Sequence, residues 1–380
     1  MAIVRVLQVF TIMDIGGAEC MIMNYYRKID HTKIQFDFLV HRQSEGDFDK
    51  EIESLGGVIH RLNPINPIFP KRYYTALRNF FEINNSYQII HSHLNTFSCF
   101  PLKIAKEFKI PCRIAHAHIA IDKLSLFSII SQKENLKETA KKIIKLRLKK
   151  KVARHANHYF TCGKKAGEWL FGKQFPLTLM TNAIDAKSFR FDENVSLKYK
   201  SIENLKGKTV IGHVGRLDIQ KNHSYLLQIL RELGEQNTQF HLVIVGEGPL
   251  KKKLMLECES LKISERVHFF GLRTDVSQLY QMFDFFVFPS FYEGLPLTLI
   301  EAQAAGLMVL ASDTITKETK LTDNVNFLSI TNPPSTWANK ILEIGNYKRR
   351  DTTNEIIVGK YDIISNAHEI ANFYLKVISG

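Results

Sequence analysis

Short apolar runs alternate with helical stretches along nearly the whole chain, and this alternation restricts the fold to a parallel α/β type in which crossover helices join the strands. The first run, Ile3 to Phe10, reads as a buried strand, followed by the turn Asp14-Ile15-Gly16-Gly17 and a helical stretch from Ala18. Strand-like runs at 34–40, 87–91 and 112–117 are separated by helical segments such as 71–84 and 97–107. After Thr181-Asn182-Ala183-Ile184-Asp185 and a polar interval at 186–208, a second series opens with Val210-Ile211-Gly212-His213-Val214-Gly215. It continues at 240–245, 266–270, 284–288 and 307–311. A length of 380 residues exceeds one ordinary domain, so the reading is two Rossmann-like domains, 1–185 and 186–361. Beyond the shared alternation the halves show no repeat. The segment 362–377 has helical periodicity.

Hydrophobic residues make up 45% and charged residues 23% of the chain, which excludes disordered, collagen-like and mucin-like classes. No run of 18 apolar residues occurs, and the N-terminus lacks the apolar core and cleavage site of a signal peptide. The five cysteines form no CxxC pair, as expected of reduced thiols in a cytosolic protein. Charge is uneven. Residues 1–185 carry 28 Lys+Arg against 16 Asp+Glu, or +12, whereas residues 186–380 carry 23 against 22, or +1. Any use of basic charge therefore belongs to the first half.

The stretch most specific for chemistry is Phe288 to Gly306, which sets Glu293 and Glu301 eight residues apart across a strand-turn-helix junction. Gly294 would allow a backbone conformation closed to other residues, and Pro296 suits the first helical position. The amides of Leu297, Thr298 and Leu299 should then point out of a helix start, where unpaired N–H groups and the helix dipole attract phosphate. A carboxylate one turn further on, Glu301, suits a pair of sugar hydroxyls, which donate to it. Gly215-Arg216-Leu217-Asp218-Ile219-Gln220-Lys221-Asn222 also follows a strand and opens a helix, and offers a planar guanidinium and a point charge to a diphosphate. With Gly246-Glu247-Gly248-Pro249 this makes three glycine-bearing loops at carboxyl ends of strands, the ligand-binding edge of open α/β sheets.

With the turn Gly16-Gly17-Ala18-Glu19, the pair Phe270-Gly271 and the pair Asp275-Val276, these motifs resemble retaining glycosyltransferase family 4 over nearly the whole chain, most specifically from 210 to 313. The segment Ala156 to Phe171, preceded by Arg113-Ile114-Ala115-His116-Ala117-His118, is similar to the branch that builds bacterial capsular polysaccharide and exopolysaccharide. The resemblance implies a GT-B fold: an acceptor domain and a nucleotide-sugar domain facing each other across a cleft. A last helix would cross back, so that 362–380 joins 1–185. Carried over by motif, Arg216 and Lys221 would hold the donor diphosphate, Glu301 the ribose hydroxyls and Glu293 the sugar hydroxyls. Gly271 to Arg273 would lie along the nucleobase, and Gly16-Gly17 would close over the phosphates. His116, with His118 as alternate, would orient the sugar's primary hydroxyl; the family pattern relies on one histidine where this chain offers two.

His91-Ser92-His93 and His116-Ala117-His118 are i,i+2 pairs, each on one face of a strand. They fit a zinc site or imidazoles lining a polar cleft. Asp47-Phe48-Asp49 matches a metal-binding D-x-D string but precedes an acidic helical run, where a helix-start carboxylate is the simpler account. The reading requires no metal and no cofactor beyond the donor. Ten Lys/Arg cluster at 133–154, flanking an apolar stripe of Leu136, Ala140, Ile144, Leu148 and Val152. This suits an interfacial helix on an anionic membrane; the alternatives are a core helix with a solvated face or a nucleic-acid surface, the latter without a supporting motif. Together these features lead to a cytosolic, membrane-peripheral retaining transferase. It would move a sugar from a UDP-linked donor to a polyprenyl-diphosphate-linked saccharide. A UDP-sugar 2-epimerase of the same fold and a non-catalytic assembly scaffold are the rivals.

Overall fold

Strand β1 (Val4–Val9) sends Leu7 and Val9 to one face of its sheet and Val6 to the other, and all three are fully buried, so helices must cover both faces. The computed structural model describes the backbone of residues 3–118 and 136–379. Two compact units form: Met1–Ala183 with Ile363–Gly380, and Ile184–Asp362.

In the first unit β1 is joined by β2 (Ile34–Val40), β3 (Ile59–Arg61), β4 (Ile89–Ser92), β5 (Cys112–Ala117), β6 (His158–Thr161) and β7 (Leu177–Leu179). All pairs are parallel, in the order β3-β2-β1-β4-β5-β6-β7. Helices Gly17–Tyr26 and Ile363–Ser379 cover one face; Lys71–Ile83, Cys99–Glu107, Leu136–His155 and Lys164–Phe171 cover the other. The last helix docks through Ile363, Ala367, Ile370 and Tyr374. Its Asn366 Nδ2 donates to the Tyr25 hydroxyl at 3.3 Å and to Thr181 Oγ1 at 3.2 Å.

The second unit contains β8 (Thr209–Val214), β9 (Phe240–Val245), β10 (Val267–Gly271), β11 (Phe285–Phe288), β12 (Met308–Ser312) and β13 (Val325–Leu328), again all parallel, in the order β10-β9-β8-β11-β12-β13. This is the doubly wound order, in which the chain reverses direction across the sheet between β8 and β11 and opens a crevice at their carboxyl ends. The interval 186–208 is not simply polar linker. It holds helices Ala186–Phe189 and Glu193–Ile202, the second capped by Asp192, whose Oδ1 accepts from the Asn194 amide at 2.8 Å.

The basic helix calls for a correction. Its first residues, 133–135, lie outside the described residues, and side chains are described only from Ile144 onward. There Leu148 and Val152 are buried and Ile144 packs beside them, against the core under helices Lys71–Ile83 and Cys99–Glu107. The stripe over 144–152 thus serves the core, and the described outer face is mostly cationic, with Arg147, Lys150, Lys151 and Arg154 exposed beside Leu146. Apolar burial takes this face because it completes the layer formed with helices Cys99–Glu107 and Lys164–Phe171. All five cysteines are free. No helix among the described residues is long and apolar enough to cross a membrane.

Candidate functional site

At the carboxyl edge of β8 and β11, two loops are bound to one another. The Phe291 amide donates to the Gln220 carbonyl at 2.9 Å, Gln220 Nε2 to the Tyr292 carbonyl at 2.8 Å, and Asn222 Nδ2 to the Pro289 carbonyl at 3.1 Å. Asn222 takes a left-handed conformation, φ 55°, at the start of helix His223–Gln236. Between these bonds Lys221 Nζ donates to Glu293 Oε1 at 2.7 Å and lies 4.7 Å from the Phe288 ring centroid. The two side chains are 14% and 8% exposed, so the pair is shielded from water and from salt. Lys221 is therefore ion-paired with Glu293, the carboxylate that the family resemblance assigns to the sugar hydroxyls. Arg216 differs. It is exposed, with no acidic partner among the described residues.

The glycine loops meet closely. Gly246, at φ +138°, sits so near the Gly215 carbonyl that a Cβ would lie 2.1 Å from its oxygen. The Leu217 amide donates to the Glu247 carbonyl at 3.0 Å, and the Gly246 amide to the Gly271 carbonyl at 2.8 Å. Gly294 departs from expectation. Its φ is not positive and a Cβ there would meet nothing within 4 Å, so neither the backbone nor the packing at this position requires glycine.

Helix Leu297–Ala304 begins one residue later than expected, with Pro296 as an extended cap lacking a side-chain bond. The Leu299 amide donates back to the Pro296 carbonyl at 3.2 Å, so of the three amides expected to be free, only those of Leu297 and Thr298 lack an acceptor among the described residues. Glu301 is half-buried and accepts from the Tyr280 hydroxyl at 2.9 Å, through Oε2. Burial raises its carboxyl to about 7, against the lowering effect of the Tyr280 bond. Arg273 forks onto Asp275 at 2.8 and 2.7 Å and reaches Glu203 at 3.0 Å, which holds the Asp275 carboxyl down at about 2. Its guanidinium carbon lies 5.4 Å from the Phe270 ring centroid, so Arg273 builds the wall that ends at Gly271 and its charge is already satisfied.

Sequence reasoning passed over His213 and Ser290 at this edge. Both are fully buried, and His213 Nε2, Ser290 Oγ and Thr298 Oγ1 have no hydrogen-bond partner among the described residues. Their signal was weak: each sits within or beside an apolar strand run, where a single polar residue reads as an interruption.

In the first unit the four histidines lie together at the ends of β4 and β5. His91 Nε2 contacts His116 Nδ1 at 3.1 Å, and His93 Nδ1 contacts His118 Nε2 at 2.9 Å. His91 Nδ1 meets the Tyr374 hydroxyl at 2.8 Å and His93 Nε2 meets Gln8 Oε1 at 2.9 Å, so both rings spend both nitrogens on hydrogen bonds. Ligand atoms of His91, His93 and His116 lie within 4.8 Å of one another, yet a metal would have to replace these bonds. The rings also stack, His91 on His93 at 4.3 Å and His116 on His118 at 4.2 Å. Burial pushes all four imidazoles down, His118 to about 3, so the stack is neutral. His116 is 0% exposed and cannot touch a ligand in this conformation, whereas His118 is only half-buried. Of the two histidines named for the sugar, only His118 has surface open to a ligand in this conformation. Gly16 and Gly17 open helix Gly17–Tyr26 with ordinary negative φ at Gly16, and a Cβ on Gly17 would meet nothing within 4 Å. The D-x-D string is occupied by the fold: Asp47 Oδ2 accepts from the Ile15 amide at 2.9 Å, while Asp49 caps Gly46 at 2.9 Å and pairs with Arg61.

Comparison with known proteins follows this geometry. Residues 196–355 match the family described as glycosyl transferases group 1. EpsF of Bacillus subtilis (strain 168), named as a glycosyltransferase, is 33% identical over 379 residues, covering 97% of this chain and 96% of EpsF. The capsular polysaccharide biosynthesis glycosyltransferase CapH of Staphylococcus aureus is 24% identical over 98% of this chain and 99% of CapH. The UDP-Gal:alpha-D-GlcNAc-diphosphoundecaprenol alpha-1,3-galactosyltransferase of Escherichia coli is 25% identical, covering 77% of this chain and 76% of that enzyme. The crystal structure of Anabaena HepE in complex with UDP is similar at a TM-score of 0.68 and 17% identity, covering 100% and 97% of the two chains. The fold is that of the GT-B glycosyltransferases.

The neutral histidine stack makes stability depend on pH. Imidazoles held below their ordinary value of 6.5 bind protons more readily in the unfolded chain, so folding is favoured above about pH 6.5 and weakens progressively as pH falls below it. Urea unfolding of the first unit, followed through Trp169, should lose up to about 1.4 kcal/mol per pH unit for each ring in that window. A flat profile between about pH 6.5 and 5 would contradict a buried neutral stack.

Proposed function

The chain belongs to the group 1 glycosyltransferases, and from that we propose that it moves a sugar, with retention of anomeric configuration, from a UDP-linked donor to a saccharide carried on polyprenyl diphosphate, in capsular or extracellular polysaccharide synthesis. One observation carries the reading: an unpaired guanidinium at Arg216, an oriented carboxylate at Glu293, an open helix start at Leu297 and a half-buried carboxyl at Glu301 gather on loops and helix starts following β8 and β11. Support for the donor comes from a solved neighbour that binds UDP, and for the acceptor from a relative named for a diphosphoundecaprenol substrate. Such an acceptor brings the reaction to a membrane, and the +12 of residues 1–185 suits peripheral attachment to its anionic cytoplasmic face. No nucleic acid is a partner in this reading.

The diphosphate is held by Arg216 and by the Leu297 and Thr298 amides, with Lys221 close by, so negative charge growing on the leaving oxygen meets fixed positive groups. Glu293 accepts hydrogen bonds from sugar hydroxyls while Lys221 holds it. The acceptor hydroxyl attacks the anomeric carbon from the face that the diphosphate leaves. One C–O bond forms, the bond to phosphate oxygen breaks, and the departing diphosphate takes the hydroxyl proton. The reaction needs no protein nucleophile and no metal. His118 takes the orienting role on the sugar.

Glu301 gives the first test. A carboxylate accepts charge-assisted bonds from both ribose hydroxyls, whereas the protonated acid keeps only weaker, neutral acceptor capacity, so a group titrating near 7 makes nucleotide affinity rise with pH through neutrality. Calorimetry with UDP should show Glu301→Ala binding weaker by about 1.5 to 3 kcal/mol at high pH. The difference between the two proteins should shrink below about pH 7; titration of the nucleotide phosphate cancels because both proteins share it. Equal affinities at every pH would remove Glu301 from the site.

Turnover gives the second. His118→Ala should lower kcat at least about tenfold, or about 1.4 kcal/mol of barrier, with little change in UDP affinity. His116→Ala should act first on stability. Transfer should survive EDTA; its loss on chelation, or an unaffected His118→Ala, would overturn this part of the mechanism.

A further inference from the structure

Between β3 and helix Lys71–Ile83 the chain reads Asn63-Pro64-Ile65-Asn66-Pro67-Ile68-Phe69-Pro70. Its tip carries two large apolar side chains in water, Ile68 at 66% exposed and Phe69 at 75%. They are held there. Asn66 Oδ1 accepts from the amides of both Ile68 and Phe69 at 3.0 Å, and prolines at 64, 67 and 70 each fix a backbone angle. A turn this constrained cannot fold its apolar tip back onto the core.

Behind the tip runs a groove of about 450 Å³ whose apolar wall includes Ile68, Tyr74 and Phe100 and whose cations are Lys103, Lys151 and Arg154. Lys103 Nζ sits 4.8 Å from the Tyr74 ring centroid, and Lys106 Nζ donates to the Arg154 carbonyl at 3.0 Å. The nearby acid, Glu107, is engaged by Arg78 at 2.8 Å and lies 4.0 Å from Lys103 Nζ, while Lys151 and Arg154 form no ion pair among the described residues. Lys71 and Arg72 flank the tip on its other side and are exposed. The surface thus joins a rigid apolar point to a concave basic floor.

We propose that this face is the membrane-docking surface, with Ile68 and Phe69 entering the lipid interface and the Lys103-Lys151-Arg154 groove receiving an anionic phospholipid headgroup. The proposal rests on the membrane-peripheral reading of the function and relocates its apolar component from the basic helix, whose stripe over 144–152 is spent in the core, to the 63–70 turn. Charge complementarity selects the occupant: Lys151 and Arg154, without an ion-pair partner among the described residues, and Lys103 beside them want phosphate, and one aliphatic and one aromatic side chain next to them want hydrocarbon, a combination supplied by a lipid headgroup with its chains. Nucleic acid offers phosphate but nothing to solvate Ile68.

The test uses the full chain with vesicles of phosphatidylcholine, alone or mixed with phosphatidylglycerol. Co-sedimentation is expected only with the mixed vesicles. Ile68→Ser with Phe69→Ser should lower partitioning at least tenfold. Lys103→Gln with Lys151→Gln and Arg154→Gln should lower it about a hundredfold, from about 1 kcal/mol per cation. A Phe69→Trp variant should show blue-shifted emission on mixed vesicles. Binding to mixed vesicles that ignores the serine substitutions, an unshifted emission, equal binding to neutral vesicles, or binding to a single-stranded oligonucleotide in place of vesicles would each overturn the proposal. UDP calorimetry on the same variants separates the two readings. Variants that lose vesicles but keep UDP are folded and support the docking surface; a wild-type protein that docks but never binds UDP defeats the transferase reading and leaves this one standing.

Discussion

Because β8 and β11 are neighbours in the sheet while their following helices depart in opposite directions, the chain must open a crevice at their carboxyl ends. Everything placed at the candidate site follows from how that crevice is closed at its base. Four contacts join the Gln220–Asn222 loop to the Pro289–Glu293 loop, three from neutral groups and one from the Lys221–Glu293 pair. The neutral bonds fix the approach of the two backbones, and the ion pair then fixes one carboxylate within it.

That pair also divides the cations of the site into two kinds. Removing either partner of a shielded pair leaves an uncompensated charge, a far larger effect than loss of an exposed one. Lys221 is thus committed to its carboxylate unless a stronger anion arrives, whereas Arg216, without an acidic partner among the described residues, can meet an incoming phosphate at no such cost. His213 Nε2 and Ser290 Oγ, buried beneath the same edge, have no hydrogen-bond partner among the described residues.

Much of this was readable in the sequence. The strand at 240–245 was placed to the residue, because a central parallel strand buried on both faces must be continuously apolar. The short strands β3, β6, β7 and β13 were not, since three or four residues, with His, Arg, Asn or Thr among them, carry no usable periodicity. Motif spacing brought Arg216, Lys221, Gly246, Glu293 and Glu301 to one edge, but it could not reveal that Lys221 and Glu293 touch, or that Leu299 returns its amide to Pro296. Those are matters of loop geometry. For the histidines, an i,i+2 spacing gives the shared face of a strand and not its depth, so His116 and His118 looked alike until one proved buried and the other half-exposed. The basic helix misled for the opposite reason. A stripe every four residues fits a core or a membrane equally well, and only the packing of Leu148 and Val152 into the core beside Cys99–Glu107 decides.

The central claim is that a nucleoside diphosphate sits on the carboxyl edge of β8 and β11. Hydrogen exchange with and without UDP reads it directly, amide by amide. The account predicts slowed exchange at Gly215–Asn222 and at Leu297 and Thr298, with the core strand β9 unchanged. Slowed exchange elsewhere with these segments unaffected, or no change at saturating UDP, would contradict it.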